Sequence, residues 1–290
     1  MNSSPRIRVG TLLLAGSATA YSSAGFWVRL IELDSWTLLF WRGLFAGSFL
    51  ACVVFWRERG RLAEAIRAIG VDGVVVAFCS TLATVCFLNA LRLTAVADVL
   101  VIDATAPFIT AAIAWLVIGE RVERATLLAS SLALGGVAVM AQPALAEGRL
   151  LGDLLALAMA VLMSAVMVLI RRKRGVSMLP ATCLSAFLCA AFVAPFARPS
   201  SVYGGEVALL VLFGVTQFGL GLLLLAAGTP LVSATRGALI GALQTPLGVL
   251  WVWLAFGEAP TGATLLGGVI VLSAVLGDIL LHANTADRLA

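Results

Sequence analysis

The sequence predicts an all-α polytopic membrane protein: ten transmembrane helices forming two inverted five-helix repeats. Three observations carry that prediction. First, 61% of the 290 residues are hydrophobic and 12% charged, against roughly 45–50% and 25% in a soluble domain. Second, W-L-x-x-G-E is written twice, at 115–120 and 253–258, and A-T-L-L follows each copy at the same distance, 125–128 and 263–266. Eight of the fourteen residues in 115–128 recur in 253–266, at an offset of 138, nearly half the chain. Third, apolar stretches of about 20 residues, each able to cross a hydrocarbon core of about 30 Å, recur throughout. Five fall in each half, so tandem copies (1–145 and 146–290) must face opposite ways. Backbone in lipid satisfies its own hydrogen bonds, so spans of this length and continuous apolarity are helices rather than barrel strands.

The spans follow in order. The first, 8–29, comes after Arg6 and Arg8 and carries Tyr21 and Ser22; Ala18-Thr19-Ala20 gives it a rival reading as a cleaved signal peptide, which would leave one half a helix short. The second, 35–56, contains Arg42, and the third, 70–92, contains Ser80, Thr84 and Asn89. Ser80 and Thr84, four apart, share a helix face. The fourth, 95–117, holds Asp98, Asp103 and Pro107 and closes on the first W-L-x-x-G-E. The fifth and sixth are 125–142 and 150–171. The seventh, 179–197, contains Cys183 and Cys189. The eighth, 205–227, has Gln217 among Gly214, Gly219 and Gly221. The ninth, 231–255, holds Arg236, Gln244, Thr245 and Pro246 and closes on the second W-L-x-x-G-E. The tenth, 262–282, ends on Asp278 and His282. Gly214, Gly219, Gly221 and Gly228, with Gly262, Gly267 and Gly268, read as helix-packing surfaces.

Basic residues alternate between loops. With the N-terminus inside, thirteen Lys and Arg (Arg6, Arg8, Arg57, Arg59, Arg61, Arg67, Arg121, Arg124, Arg171, Arg172, Lys173, Arg174, Arg288) fall in cytoplasmic segments and four (Arg29, Arg92, Arg149, Arg198) outside. The positive-inside rule then puts both termini in the cytoplasm of a cell inner (plasma) membrane protein. The net charge of +4 is this loop bias and not a nucleic-acid footprint. The five cysteines all lie in apolar spans without a C-x-x-C pair, which argues for packing rather than a disulfide framework or zinc site.

The halves also align at their first spans: Gly10, Ser22 and Arg29 match Gly152, Ser164 and Arg171 at an offset of 142. Pro107 and Pro246, 139 apart, sit mid-way along the fourth span of each half. Inverted repeats of this kind are characteristic of secondary transporters, which bind substrate near the midplane between the repeats.

The run GDLLALAMAVLMSAVMVLIRR at 152–172, the mid-helix prolines, Arg42 within FWRGLFAG and the two G-E turns resemble the EamA-type permeases. These are ten-helix members of the drug/metabolite transporter superfamily, and the resemblance covers essentially the whole chain. Within it the chain is most similar to the amino-acid exporter (YddG-like) branch. The resemblance implies that helices 1–4 and 6–9 surround a central cavity while helices 5 and 10 pack at one end. It departs at Tyr21-Ser22, where the first helix of such proteins often has a Trp-Gly-like pair.

In the repeated motif, Gly ends a helix without a Cβ penalty. Glu120 or Glu258 then faces the positive end of the following helix dipole, and Trp sits near headgroup level. Both motifs therefore read as structural corners rather than substrate contacts. Charge within a span is costly, about 2.5–3.5 kcal/mol on insertion scales, so Arg42, Asp103 and Asp98 are the leading site residues. Arg42 and Asp103 lie at similar depth, about 10–12 Å from the outer ends of their spans at 1.5 Å per residue, which predicts a pair. Such a pair is either structural or divided between a substrate carboxylate and its ammonium. Arg236 is expected to snorkel to the cytoplasmic surface, Asp278 to cap or pair nearby, and His282 to be interfacial. Tyr21, Ser22, Ser80, Thr84, Gln217 and Gln244 complete the candidate cavity, with Pro107 and Pro246 as kinks.

No phosphate-binding loop, G-x-S-x-G or H-E-x-x-H is present, so no cofactor, metal or enzymatic activity is expected. The expected function is export of small metabolites, amino acids first, by alternating access. The expected partners are a small-molecule substrate and the bilayer, with the chain a monomer or weak homodimer. The alternatives are efflux of drug-like cations, for which Asp98 and Asp103 would suffice, and, more remotely, an intramembrane enzyme on lipid substrates. The latter needs a cluster of His, Asp or Glu at one depth.

Overall fold

The computed structural model describes residues 3–58, 62–94, 96–141, 150–257 and 259–288, and all the regular structure among them is helical. Eight stretches are long and apolar enough to cross a bilayer: Ser35–Glu58, Ala63–Ala90, Val99–Ile118, Leu150–Arg172, Leu179–Phe196, Gly204–Leu231, Ala234–Phe256 and Gly262–Leu281. Arg124–Met140 is a shorter apolar helix. The N-terminal helix, Ser3–Ser22, runs for 20 residues but is more polar.

Several predicted spans are interrupted, each for a local reason. The first is two helices, α1 (Ser3–Ser22) and α2 (Ala24–Leu30). At their junction the Ser22 and Ser23 hydroxyls both donate to carbonyls three residues back, 2.7 Å each, and such back-bonding bends helices. The second span, α3 (Ser35–Glu58), is capped by Asp34, whose Oδ1 accepts from the Trp36 and Thr37 amides, 3.1 Å each. Helix α4 (Leu62–Leu93) starts earlier than expected but turns at Gly70, φ 55°. That left-handed conformation favours glycine and restores the predicted start of the third span.

The fourth and ninth spans, expected to be single kinked helices, are broken in two. The fourth consists of α5 (Val96–Asp103) and α6 (Ala106–Ile118), with Ala104 and Thr105 in a turn. Helix α7 (Arg124–Ala141) follows, and then α8 (Leu150–Arg172) and α9 (Leu179–Val193) open the second half. The eighth span is α10 (Gly204–Leu212) and α11 (Leu220–Gly228), joined by a π-helical stretch over Phe213–Gly219. The ninth is α12 (Ala234–Gly241) and α13 (Gln244–Phe256), with Ala242 and Leu243 in a turn, and the chain ends on α14 (Gly262–Arg288). Pro107 and Pro246 fall at the second and third residues of the restarted helices. A proline lacks the N–H for the preceding turn and its ring displaces the carbonyl four back. A helix therefore stops before it and restarts around it.

Packing shows the two halves interleaved. The most extensive helix contacts join one half to the other: α4 with α8, α7 with α14, α3 with α9, and α1 with α11. The two glycines aligned at offset 142 make equivalent contacts in opposite halves. Gly10 of α1 lies against the turn after α11; a Cβ there would be 2.6 Å from Leu231 Cβ. Gly152 of α8 lies against the turn after α4; a Cβ there would be 2.8 Å from the Thr94 amide. In the α7–α14 pair, Gly136 and Gly267 bring backbones together, with Gly267 O 2.8 Å from a Cβ built on Gly136. Gly214, Gly219, Gly221 and Gly228 likewise receive neighbours within 3.1 Å of a Cβ, so the expected packing role holds for them. Gly262 meets nothing within 4 Å and Gly268 only ordinary contact.

The repeated corners end their helices as expected. Gly119 (φ 66°) and Gly257 (φ 70°) are left-handed C-caps of α6 and α13. At the first, the Gly119 amide donates to Trp115 O at 3.1 Å, the single bond of an αL cap, and the Glu120 amide reaches Ala114 O at 3.2 Å. Trp115, 63% exposed, faces outward. The two corners lie at opposite ends of the ninth span. Glu120 Oε1 accepts from the Ala234 amide that starts α12, 3.2 Å, whereas Trp253 and Gly257 close α13, about 28 Å away at 1.5 Å per residue. Glu120 thus serves the dipole end of a helix in the other half, and not the start of α7 as expected from sequence. It also accepts from Arg171 Nε at 3.3 Å, while Arg171 Nη1 donates to Pro230 O. Glu258 lies outside the described residues.

Candidate functional site

The two helix breaks face each other. Asp103, the last residue of α5, accepts through Oδ2 from Nε2 of Gln244, the first residue of α13, at 3.1 Å. Both side chains are half-buried, and Pro107 and Pro246, a few residues along each span, are buried. A carboxylate from one half is thereby tied to an amide from the other where both spans lose helical continuity. The half-helix ends that build transporter sites have the same character.

A second polar group is assembled from α1, α3, α9 and the π-helical stretch. The Arg42 guanidinium carbon lies 4.3 Å from the centroid of Phe218 and 5.8 Å from that of Phe213, with Cys189 alongside. Arg42 Nε has no hydrogen-bond partner. Gln217 is 2% exposed; its Nε2 donates to Tyr21 O at 3.4 Å while its Oε1 is unpartnered. The Tyr21 ring packs edge-on to Phe218 and flat against Gly221, and Ser22 Oγ accepts from Trp251 Nε1 at 3.0 Å. Span one therefore reaches the Arg42 group through Tyr21 and the ninth span through Ser22.

The predicted Arg42–Asp103 ion pair is not formed. Among the described residues Arg42 has no carboxylate within 4.0 Å, and Asp103 has no cation. Matching depth does not fix lateral position. Arg42 leaves α3 toward the rings of the eighth span, whereas Asp103 leaves α5 toward α13. The Asp98 side chain lies outside the described residues, as does that of His282. Ser80 and Thr84 are not joined to either polar group; Thr84 donates to Ser80 O within its own helix, 3.0 Å. The hydroxyl of that helix that reaches a neighbour is Thr81, which donates to Ser185 O at 3.2 Å, a residue the sequence did not single out.

Arg236 does not snorkel. It is 5% exposed and pairs with Asp278 of α14 at 3.0 Å, while Asp278 Oδ1 accepts from Thr126 of α7 at 2.9 Å. Asp278 pairs as expected. The correction has a packing cause: α12 is enclosed by α1, α6, α7 and α8, so a side chain on its inner face meets protein in place of a water-lipid boundary. Sequence reasoning also missed Phe213, Phe218 and Trp251. Aromatic residues in an apolar span carry no local mark of which charge or hydroxyl they cover.

The EamA-like transporter family model matches residues 8–142 and again 150–278. No curated protein matches the chain. The crystal structure of a protein superposes over 96% of this chain and 98% of its own with a TM-score of 0.74 at 21% identity, a likeness of fold. With both halves matched, the breaks paired and the repeats interleaved, the chain belongs to the EamA-like transporter family, multi-pass membrane transporters of small molecules.

Proposed function

We propose that this protein is a ten-span secondary transporter of the cytoplasmic membrane that exports amino acids by alternating access between inverted halves, 1–145 and 146–290. Both termini are cytoplasmic, no cofactor takes part, and the working unit is a monomer or weak homodimer. The observation that carries the reading is a pair of opposite charges within the membrane region that do not neutralise each other. Arg42 faces rings and a thiol, and Asp103 faces an amide. An uncompensated charge within a span is costly, and a zwitterion supplies both missing partners. Its carboxylate accepts two parallel hydrogen bonds from the Arg42 fork, and its ammonium donates to Asp103. Tyr21, Ser22, Gln217 and Gln244 adjust the polar contacts, and Phe213 with Phe218 provides apolar wall. Ser80, Thr84 and Asp98 remain candidates for the cavity margin.

One observation favours a second reading, efflux of lipophilic cations: an Asp103 without a cationic partner would serve a drug-like cation equally well. Counterflow into proteoliposomes separates the two. Each proteinogenic L-amino acid, its N-acetyl derivative and a panel of lipophilic cations are tested in turn. Exchange of amino acids but not of their N-acetyl forms supports the zwitterion site. Exchange of cations alone would replace it with the second reading.

A further inference from the structure

Two ion pairs tie span ends together beside the start of α12, and they differ in how far water reaches them. Arg236–Asp278 is enclosed, with side chains 6% and 0% exposed. Arg171–Glu120 lies at 3.3 Å with side chains 13% and 17% exposed. Glu120 follows α6, in the first half, and its two oxygens serve two elements of the second. Oε2 accepts from Arg171 Nε at the end of α8, and Oε1 accepts from the Ala234 amide that starts α12, at 3.2 Å. Arg171 also donates through Nη1 to Pro230 O in the turn before α12. Ala114 of α6, Val168 of α8 and Ala234 of α12 pack together as one buried apolar cluster.

The two sides of the helix breaks differ accordingly. On the Glu120 side, α6 and α12 pack on each other and both pack on α8. On the other side, α5 and α13 have no packing of that extent among the described residues, and they meet through the Asp103–Gln244 hydrogen bond. A substrate coming from the Glu120 side therefore reaches Asp103 only when α6 and α12 part. We propose that Glu120 and Arg171 form a latch that shuts the cytoplasmic face and opens in each transport cycle; this rests on the transport and orientation readings above. Opening separates Glu120 from Arg171 and from the Ala234 amide, and no covalent bond changes. Water already reaches both charges, so separation rehydrates them, and such a pair holds a face shut without trapping it. Helix α12 keeps its own cap meanwhile, since Ser233 Oγ accepts from the Arg236 amide at 3.3 Å. Separating Arg236 from Asp278 would instead strand two charges away from water, which suits an anchor that stays closed in both states.

Counterflow in right-side-out and in everted membrane vesicles tests this, with half-saturation read on the face turned to the bath. Each proteinogenic L-amino acid and each of a panel of lipophilic cations serves as probe. A face that is open only part of the time binds more weakly by that fraction. Glu120→Gln should therefore lower half-saturation on the cytoplasmic face by about 1.5- to 5-fold, the range of an ion pair at a water boundary, without lowering it on the outer face. Arg171→Gln, which breaks the same pair from α8, should do likewise, and Arg171→Lys should stay near wild type. Lys173→Gln, which removes the Lys173–Asp72 pair (3.5 Å), should move neither face. Equal changes on both faces, no change in either Gln variant, or the same shift in Lys173→Gln would overturn the latch. Loss of folding in both Glu120→Gln and Arg171→Gln would make the pair a static anchor and overturn it too. Wild-type vesicles that exchange none of the probes would overturn the transport reading, and the latch with it.

Discussion

Asp278→Asn is expected to destabilise the protein strongly. In the folded chain the Asp278 side chain is fully enclosed (0% exposed) and Arg236 nearly so (6%), with 3.0 Å between Oδ2 and Nε. Thr126 occupies the second oxygen at 2.9 Å. Breaking a buried pair by removing one partner leaves the other charge without compensation, at a cost of about 3–5 kcal/mol. Thr126→Val removes only a hydrogen bond to a charged group, roughly 1.5–3 kcal/mol. Replacing both charges by apolar residues of similar volume, Arg236→Met with Asp278→Leu, removes the desolvation penalty together with the attraction. That exchange is often neutral or stabilising, by about 1–4 kcal/mol. The expected order of stability is therefore double variant at or above wild type, then Thr126→Val, then Asp278→Asn. Unfolding in mixed micelles titrated with sodium dodecyl sulfate, followed by tryptophan fluorescence, gives the free energies. An Asp278→Asn variant within about 1 kcal/mol of wild type would refute the claim that the pair is buried and mutually dependent. So would a double variant no better than that single one.

Arg42→Lys should leave the protein folded and inserted but weaken amino-acid binding by about one hydrogen bond to a charged group, roughly 10- to 150-fold, measured as half-saturation in counterflow. Neutralising Arg42 and Asp103 together should leave transport inactive; recovery would mean that each serves only to neutralise the other. On α7, Gly136→Ala should lower stability because the new methyl meets Gly267 O at 2.8 Å, while Gly135→Ala, with nothing within 4 Å, should be neutral or stabilising by up to about 1 kcal/mol. Thermal unfolding in detergent separates them, and equal shifts would contradict the α7–α14 contact. Single cysteines in the 57–67 and 171–174 loops of a cysteine-free variant should resist impermeant thiol reagents in intact cells; labelling of both would reverse the proposed orientation.

Much of the frame was legible because it depends on local chemistry. A glycine that must take positive φ and a tryptophan at a span end leave marks at fixed spacing, so W-L-x-x-G-E located Gly119 and Gly257. Gly10 and Gly152 were visible as an aligned pair, and their contacts show why a side chain is excluded there. The prolines marked the right places, but a mid-span Pro reads equally as a kink or a full break. Which one occurs depends on whether neighbouring groups can receive the freed polar ends. The candidate site was less legible for a related reason. Hydropathy and spacing give depth along the membrane normal, and Arg42 and Asp103 do share depth in sequence. Lateral order comes from which helix faces which, and that is settled by contacts between residues more than a hundred positions apart, such as Asp103 with Gln244. Arg236 shows the same limit, since its burial is a property of the helices around α12.

The interleaving also constrains how the two faces could open in turn. Helix α1 packs on the second half through α11, α12 and α13, and α8 packs on the first through α4, α5 and α6. The halves cannot swing apart as rigid bodies without stripping those surfaces, including the close backbone approaches at Gly10 and Gly152. The points where α-helical bonding is interrupted are the turns at Ala104–Thr105 and Ala242–Leu243, and the π-helical stretch over Phe213–Gly219. Polar groups of the candidate site lie at or beside these points. Asp103 and Gln244 flank the first two, and Gln217 and the rings over Arg42 occupy the third. A substrate that bridges Arg42 and Asp103 would therefore act on all three interruptions at once, away from the α7–α14 pair and the Arg236–Asp278 anchor.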